Sequence, residues 1–312
     1  HFSGGCGFPA ALSQIRIVVR GWKAASTNAS TAWRLKSAGC LSLCWIIIDL
    51  PQDTEMRIYV CVKHVPDTAA RITILQNNRI DARVTFIINP YDENAVEEAA
   101  RIKRDSGDAE VIAVTLGDQA AEAALRSALA MGADRGIHIK TDDNPDSLVT
   151  AAALKAAIES DGKPDIILTG KESIDSEGFQ IMYRLAANLG LPAASNVICV
   201  SLESDRAVVE CELEAGAREV VELSLPCVIG AGKSLNLPNY PTLPAIMKAR
   251  KKEIQQVDLA DLRFEKPAGR VETLALKPAV EERQPKELSG TPDEVAVEIV
   301  RILQEEARVL PA

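Results

Sequence analysis

One loop of this chain carries residue types that could bind a phosphate group. The segment TGKESIDSEGFQ, residues 169–180, combines glycines with hydroxyl and carboxylate side chains between a predicted strand and a predicted helix. Backbone N–H groups at the start of a helix favour anions, so the segment predicts a phosphate site. Glu172, Asp175 and Glu177 place negative charge in the same loop. A phosphate site and an ordinary strand-to-helix loop therefore both remain open.

Other patterns that would do chemistry are missing from the sequence. Neither His64 nor His138 has an acid or a nucleophile directly beside it, and no CxxC pair provides metal-ligand spacing. The segment VIGAGKS, residues 228–234, resembles the end of a Walker A loop, but Cys227 stands where that motif needs its first glycine. No GxGxxG follows the first predicted strand. The sequence predicts neither a catalytic group nor a metal site.

A second segment has the character of a surface that binds another protein. NLPNYPTLPAIMKARKK, residues 236–252, contains three prolines within seven residues and ends in a cluster of cations. Prolines fix φ and remove backbone donors, so the segment predicts a stiff, extended loop that leads into a helix. The cations fit a steering field for an acidic partner and also a solvated helix end, and the two interpretations are compatible.

Alternating strands and helices must position these loops. Apolar strands that alternate with helices of 12 to 18 residues predict a parallel sheet with helices on both faces, an α/β fold. Ligands of such sheets bind outside the carboxyl ends of the strands, where Asp67, residues 116–118 and residues 169–180 lie. The predicted strands are 56–65, 109–117, 136–140 and 164–170, and the predicted helices are 89–107, 118–133, 146–160 and 179–190.

The remaining sequence divides the chain into three parts. Residues 56–252 are predicted to form the α/β domain, in which three shorter strands after residue 197 add an antiparallel extension with turns at 204–205 and 215–216. Residues 253–312 are predicted to be an extended arm with a helix at 292–308 that packs on a partner subunit. Residues 1–55 contain no Asp or Glu before position 49, which is typical of a transit peptide; the favoured interpretation is an upstream extension of the reading frame with Met56 as the true start.

Composition excludes some classes of partner. The net charge of −9 argues against nucleic acid as a partner. No apolar run approaches the roughly 20 residues that a membrane-spanning helix needs, so direct membrane insertion is not expected. The cysteines are predicted to be free thiols in a reducing compartment. We expect bacterial cytoplasm, or the mitochondrial matrix if the source is eukaryotic.

The chain carries five characteristic segments in this order: VCVKHVPD at 60–67, INPYDENAVEEAARIK at 88–103, ALAMGADRGIHI at 128–139, LTGKESID at 168–175 and LNLPNYPTLPAIMKARKK at 235–252. Together they resemble the β subunit of electron-transfer flavoprotein (ETF), and they span nearly all of residues 56–252. The last segment is close to the family signature. The resemblance implies an adenine-nucleotide α-hydrolase-like, Rossmann-like domain within a heterodimer.

The resemblance also implies cofactors and partners. It implies an electron carrier without substrate turnover of its own, in which the ETF α subunit holds most of the FAD. The β subunit holds AMP or, less expected, a second FAD. Electrons come from acyl-CoA dehydrogenases or related dehydrogenases, as in fatty acid β-oxidation, and pass to ETF-quinone oxidoreductase. The implied nucleotide contacts are Cys61, Asn89, Leu116, Gly170, Lys171, Ser173, Asp175 and Gln180. The implied partner-recognition residues are Tyr240, Leu243, Pro244, Lys248 and Lys251, with Leu243 as the anchor.

The chain departs from the family pattern in the nucleotide loop and at two partner positions. Phe179, Ile181 and Met182 replace residues that are usually small or polar, with glycine usual at position 182. Asn239 replaces an arginine, and Leu213 lies where some members have a glutamate. These departures leave open a subunit without nucleotide. The alternative function is an adenine-nucleotide sensor of the universal-stress type, which would have no use for residues 236–252.

Overall fold

A nine-stranded sheet organises the chain. The computed structural model describes residues 56–75, 80–81, 83–271, 273–277 and 286–310. The strands, in chain order, are β1 (Met56–Cys61), β2 (His64–Pro66), β3 (Phe86–Ile88), β4 (Ala109–Gly117), β5 (Arg135–Lys140), β6 (Ile166–Gly170), β7 (Ala193–Leu202), β8 (Arg206–Glu212), β9 (Arg218–Ser224), β10 (Cys227–Ala231) and β11 (Ile254–Asp258). The α-helices are α1 (Pro90–Ser106), α2 (Glu122–Met131), α3 (Ser147–Asp161), α4 (Ile181–Leu189), α5 (Leu243–Ala249) and α6 (Pro292–Arg301).

The sheet has the order β11-β5-β4-β1-β6-β10-β7-β8-β9, and β2 pairs with β3 outside it. All pairs from β11 to β7 are parallel, whereas β7-β8-β9 are antiparallel. The predicted fold class, an α/β sheet with a parallel core and an antiparallel addition, is confirmed. Because β1, β6 and β10 are parallel neighbours, their carboxyl ends lie along one edge.

Helices cover the two faces of the sheet because successive strand residues point to opposite sides. Ile58 and Val60 of β1 pack in the core layer that includes apolar residues of α1 and α2. Tyr59 and Cys61 pack in the opposite layer with apolar residues of α3 and α4. The helix ends follow local signals: Asp146 caps α3 by accepting the N–H groups of Leu148 and Val149.

Two strands differ from the prediction. The segment 197–232 was expected to contain three antiparallel strands, but β10 is a fourth strand that lies parallel between β6 and β7. Residues 254–258, expected in the extended arm, form β11 and pair with β5, so the sheet continues past residue 252. Both segments are short, and five residues do not specify which neighbour a strand will pair with.

Helix α6 begins with a capping box, in which Thr291 and Glu294 satisfy each other's backbone N–H groups. A π turn over Ile302–Glu306 continues it, close to the predicted end at 308. No residue of α6 is buried, and Val297, Ile299 and Val300 are exposed. None of the described helices could cross a bilayer, being too short or too polar. The expectations for residues 1–55 fall outside the described residues.

Candidate functional site

Asp92 connects two strand ends at the carboxyl edge of the sheet. Its buried carboxylate accepts hydrogen bonds from the backbone N–H of Lys63 at 2.7 Å and of Gly170 at 3.0 Å, and from Asn89 Nδ2 at 3.0 Å. Lys63 follows β1, Gly170 ends β6, and Asp92 lies in the first turn of α1. One side chain therefore fixes the start of the 171–180 loop relative to the neighbouring strand.

Burial dominates the electrostatics around this carboxylate. Desolvation raises the pKa of Asp92 to about 7, although hydrogen bonds from Asn89, Lys63 and Gly170 oppose the shift. Burial, with a smaller contribution from the charge of Asp92, raises the pKa of the Cys61 thiol to about 12. Cys61 is therefore a protonated, buried thiol at neutral pH and not a nucleophile.

The loop that follows β6 is tied to the same network. Asn89 donates from Nδ2 to the carbonyl of Glu172 at 2.8 Å and accepts from the N–H of Ile174 at 3.2 Å. Lys63 Nζ contacts Asp175 at 2.7 Å and donates to Ser173 Oγ at 3.3 Å. These contacts hold the first half of the loop against β1 and α1.

The second half of the loop leaves backbone donors available. Glu177 and Phe179 adopt positive φ values of 46° and 51°, which are uncommon for residues with a side chain. Within the described residues, no acceptor is bonded to the N–H groups of Gly178, Phe179 and Gln180, which precede α4. Free N–H groups before a helix suit a phosphate, so the loop fits a nucleotide phosphate.

Gly170 lets two chain segments come unusually close. A Cβ at this position would lie 2.7 Å from Tyr91 Cβ and would clash with Asp92 Oδ1. The side chain of Lys171 lies over the Tyr91 ring, with Nζ 5.3 Å from its centre, and Nζ is 3.5 Å from Glu172. The lysine is therefore already partly neutralised by the neighbouring acid.

The structure brings together most of the residues expected to contact a nucleotide. Cys61, Asn89, Gly170, Lys171, Ser173 and Asp175 surround the Asp92 network. Leu116 is the penultimate residue of the neighbouring strand β4 and is half-buried. Gln180 lies at the far end of the loop, where its Oε1 accepts from Ser147 and Arg184.

The sequence analysis did not assign roles to Lys63, Tyr91 and Asp92. Lys63 lies in the segment VCVKHVPD, and Tyr91 and Asp92 lie in INPYDENAVEEAARIK, so all three are within the segments that carry the resemblance. The burial of Asp92 depends on strand ends that the local sequence does not place beside it.

The departures at 179 and 182 have contacts of their own in the structure. Met182 is buried, and its sulfur lies so close to Gly230 of β10 that a Cβ there would clash with it. Phe179 is partly exposed and lines a cleft of about 620 Å³ with Tyr183, Ser195 and Leu213.

The second loop projects apolar side chains into solvent. Leu237, Tyr240 and Leu243 are 91%, 94% and 73% exposed. Pro238 and Pro241 lie between them, and Pro244 occupies the first turn of α5. We name residues 236–247 the docking loop. Large apolar side chains clustered at such exposure are unusual on a protein surface unless another molecule covers them.

The cations after this loop fall into two groups. Lys248, Arg250 and Lys251 are exposed. Lys252 is half-buried and donates to the carbonyls of Leu129 and Ala133 at the end of α2, so it is a structural cap and not part of a steering field. The residues predicted to recognise a partner, Tyr240, Leu243, Pro244, Lys248 and Lys251, are all exposed along the docking loop and the end of α5.

Helices α2 and α5 are joined by a further charged side chain. Arg126 of α2 donates to the carbonyls of Ala249 and Lys252, each at 2.9 Å, and pairs with Glu122 within its own helix. The end of α5 is thus attached to the domain, which limits the movement of the exposed cations beside it.

Known proteins resemble this chain over most of its length. Residues 79–262 match the family described as the electron transfer flavoprotein domain. The electron transfer flavoprotein subunit beta of Bacillus subtilis is 35% identical over 260 residues, which cover 82% of this chain and 100% of that protein. The human subunit beta is 36% identical over 82% of this chain and 99% of its own length.

The subunit beta of Syntrophomonas wolfei is 40% identical over 200 residues, 64% of this chain and 79% of that protein. These matches confirm the resemblance that the five segments indicated. The chain belongs to the electron transfer flavoprotein family, among its β subunits.

Proposed function

We propose that this chain is the β subunit of a heterodimer that accepts electrons from acyl-CoA dehydrogenases or related dehydrogenases and passes them to ETF-quinone oxidoreductase. The observation that carries the proposal is the docking loop, which holds Leu237, Tyr240 and Leu243 in solvent on a proline-stiffened backbone. A loop that is ordered before it meets its partner loses less entropy on binding.

Charge supports the same surface. Lys248, Arg250 and Lys251 form a local positive patch on a chain whose net charge is −9. Such a patch steers an acidic partner surface toward the adjacent apolar residues and raises the association rate, an effect that salt weakens.

The nucleotide belongs at the carboxyl edge of the sheet. FAD, held mainly by the α subunit, supplies the electron-transfer chemistry, and this chain holds AMP. The free N–H groups of Gly178, Phe179 and Gln180 would hold its phosphate, and Gly170 keeps the start of the loop close to α1. Met182 packs toward β10 and leaves the loop open.

Exposed apolar side chains in α6 and the arm suit a contact with the α subunit. Val297, Ile299 and Val300 of α6 are exposed, as are Val271 and Leu274 of the arm. Burial of such side chains contributes about 25 cal/mol per Å² of apolar area, which favours a partner over these segments.

Leu243→Ala tests the docking loop. The variant heterodimer should keep its flavin content and thermal stability, while electron transfer from an acyl-CoA dehydrogenase should slow about tenfold or more because a buried leucine contributes roughly 1.5–3 kcal/mol. Val220→Ala, on the exposed face of β9, is the matched control. An unchanged rate for Leu243→Ala would refute the assignment.

The nucleotides released from the denatured heterodimer test whether this subunit holds AMP. One FAD and one AMP are expected for each heterodimer. Two FAD molecules would mean that the edge site holds a second flavin in place of AMP. FAD without a second nucleotide would mean that the edge site has only a structural role. A homodimer that binds ATP and does not associate with an α subunit would favour the nucleotide-sensing alternative.

A further inference from the structure

Helix α1 buries polar side chains beneath the docking loop. Asn94, Glu97 and Glu98 are each at most 5% exposed. Their spacing of three and four residues places them on one face of the helix. Buried carboxylates are costly unless they are hydrogen-bonded, so these side chains need partners.

Asn236 is the first partner, and its contact with Asn94 is reciprocal. Asn94 Nδ2 donates to the carbonyl oxygen of Asn236 at 2.8 Å, and Asn236 Nδ2 donates to the carbonyl oxygen of Asn94 at 3.0 Å. Asn236 Nδ2 also lies 3.2 Å from Glu98 Oε2. The beginning of the docking loop is therefore fixed on α1.

Asn239 is the second partner. Its backbone N–H donates to Glu97 Oε2 at 3.2 Å and its Nδ2 donates to Oε1 at 3.0 Å. Arg104 also donates to Oε1 at 3.0 Å. Both oxygens of Glu97 are thus used, and at least one bond on each comes from the loop.

The loop has few other restraints at this point. Among the described residues, 236–241 make no hydrogen bonds except those to α1. Leu237 and Tyr240, which lie beside the two asparagines, point into solvent. Two loop asparagines, bonded to one helix, therefore determine the position of the exposed apolar residues.

We propose that Asn94, Glu97 and Glu98 are positioning residues that hold the docking loop in the conformation that receives the dehydrogenase. This inference rests on the proposed function. The prolines restrict which conformations the loop can adopt, and the α1 face selects one of them. A partner then meets Leu243 in place, and little binding energy is lost in ordering the loop.

Glu97→Gln is the test, because it keeps the size of the side chain. Its amide nitrogen must face either the Asn239 N–H or the Asn239 and Arg104 donors, so at least one bond is lost. In the heterodimer, the Asn239 amide should exchange its hydrogen about five to ten times faster. The KM for an acyl-CoA dehydrogenase as electron donor should rise about fivefold with kcat unchanged.

Two controls separate positioning from general damage. Glu159→Gln removes the same charge from an exposed position of α3, on the other face of the sheet. It should change neither the exchange of the Asn239 amide nor the KM. Asn239→Ala keeps the Glu97–Arg104 pair and the acceptor of the residue 239 N–H, so it should speed the exchange of that amide less than Glu97→Gln does.

The double variant Glu97→Gln/Leu243→Ala tests whether Glu97 acts through Leu243. If α1 acts by placing Leu243, Glu97→Gln should raise KM less than twofold in that background. Unchanged exchange, unchanged KM or fully additive effects would overturn the proposal. If Leu243→Ala alone leaves electron transfer unchanged, the proposed function fails instead, and hydrogen exchange still reports whether Glu97 holds the loop.

Discussion

Two loops leave the same edge of the sheet, side by side, and are built differently. Gly170 at the end of β6 pairs with Ala231 at the end of β10. The loop after β6 folds back over the edge, with positive φ at two residues and free backbone N–H groups. The loop after β10 continues outward, carries three prolines and exposes large apolar side chains.

The difference shows how one edge can present two kinds of surface. Backbone donors beside a helix start suit a small anion, whereas apolar side chains on a stiff backbone suit another protein. Helix α1 supports both loops: its first turn holds the β6 loop through Asp92, and its middle holds the docking loop through Glu97.

Gly170→Ala should disrupt the β6 loop most strongly. The added Cβ meets Tyr91 and Asp92, which are held by backbone and by the buried network. We expect a loss of about 3 kcal/mol in the free energy of unfolding, as for other overpacked sites. Gly178→Ala, with no atom near its Cβ and no positive φ, is the control and should be nearly neutral in urea unfolding of the heterodimer. Equal stabilities would show that the close approach is not needed.

Asp92→Asn should remove a pH dependence of the free energy of unfolding, which comes from the buried carboxylate that holds the β6 loop. Burial raises the pKa of Asp92 to about 7, whereas the unfolded carboxyl group titrates near 4. Between these values the folded protein binds more protons, so the free energy of unfolding falls as pH rises. The wild type should lose about 2 kcal/mol more than the variant between pH 5 and pH 7. Parallel stability curves would contradict this.

Lys252→Ala and Lys251→Ala should separate structure from docking. Lys252 donates to two carbonyls at the end of α2, so its loss should lower the free energy of unfolding by about 1.5 kcal/mol. Lys251 is exposed, and its loss should leave stability unchanged while the association rate with the dehydrogenase becomes less sensitive to salt. Unfolding curves measure the stability, and association rates at two salt concentrations measure the docking. A stability loss for Lys251→Ala or a changed salt sensitivity for Lys252→Ala alone would refute the division of the cations.

Pro241→Gly should weaken the docking loop alone. Glycine increases the number of conformations that the free loop can adopt, at a cost of about 1 kcal/mol on binding, so KM should rise about fivefold. Nucleotide content should not change. Pro267→Gly, in the arm, is the control. If the two variants behave alike, the prolines of the docking loop have no special role.

The alternation of strands and helices was predictable because it depends on local patterns. Continuous apolar runs gave β4 and β6 nearly to the residue, and Asp146 marked the start of α3. Sheet order was less accessible, since the position of β10 between β6 and β7 depends on distant partners.

The candidate site was predicted from the resemblance and not from a physical pattern. Asn89 and Gly170 were expected from the matched segments. Asp92, which accepts hydrogen bonds from both, was not. The buried polar face of α1 was missed for the same reason, because Glu97 and its partner Asn239 are 142 positions apart in the sequence. An acid on a helix is ordinarily interpreted as solvated unless its partner is known.

The contact between Met182 and Gly230 constrains the substitutions that the two positions can accept. With Met182 in its present position, a Cβ at residue 230 would clash with the methionine sulfur, so a larger residue at 230 requires the Met182 side chain to move. Glycine at 230 does not require methionine at 182. The two positions are therefore coupled, and a substitution of Gly230 is expected to be tolerated better when residue 182 is smaller than methionine. The mutational tolerance of a strand in the centre of the sheet thus depends on the second residue of the helix that follows the β6 loop.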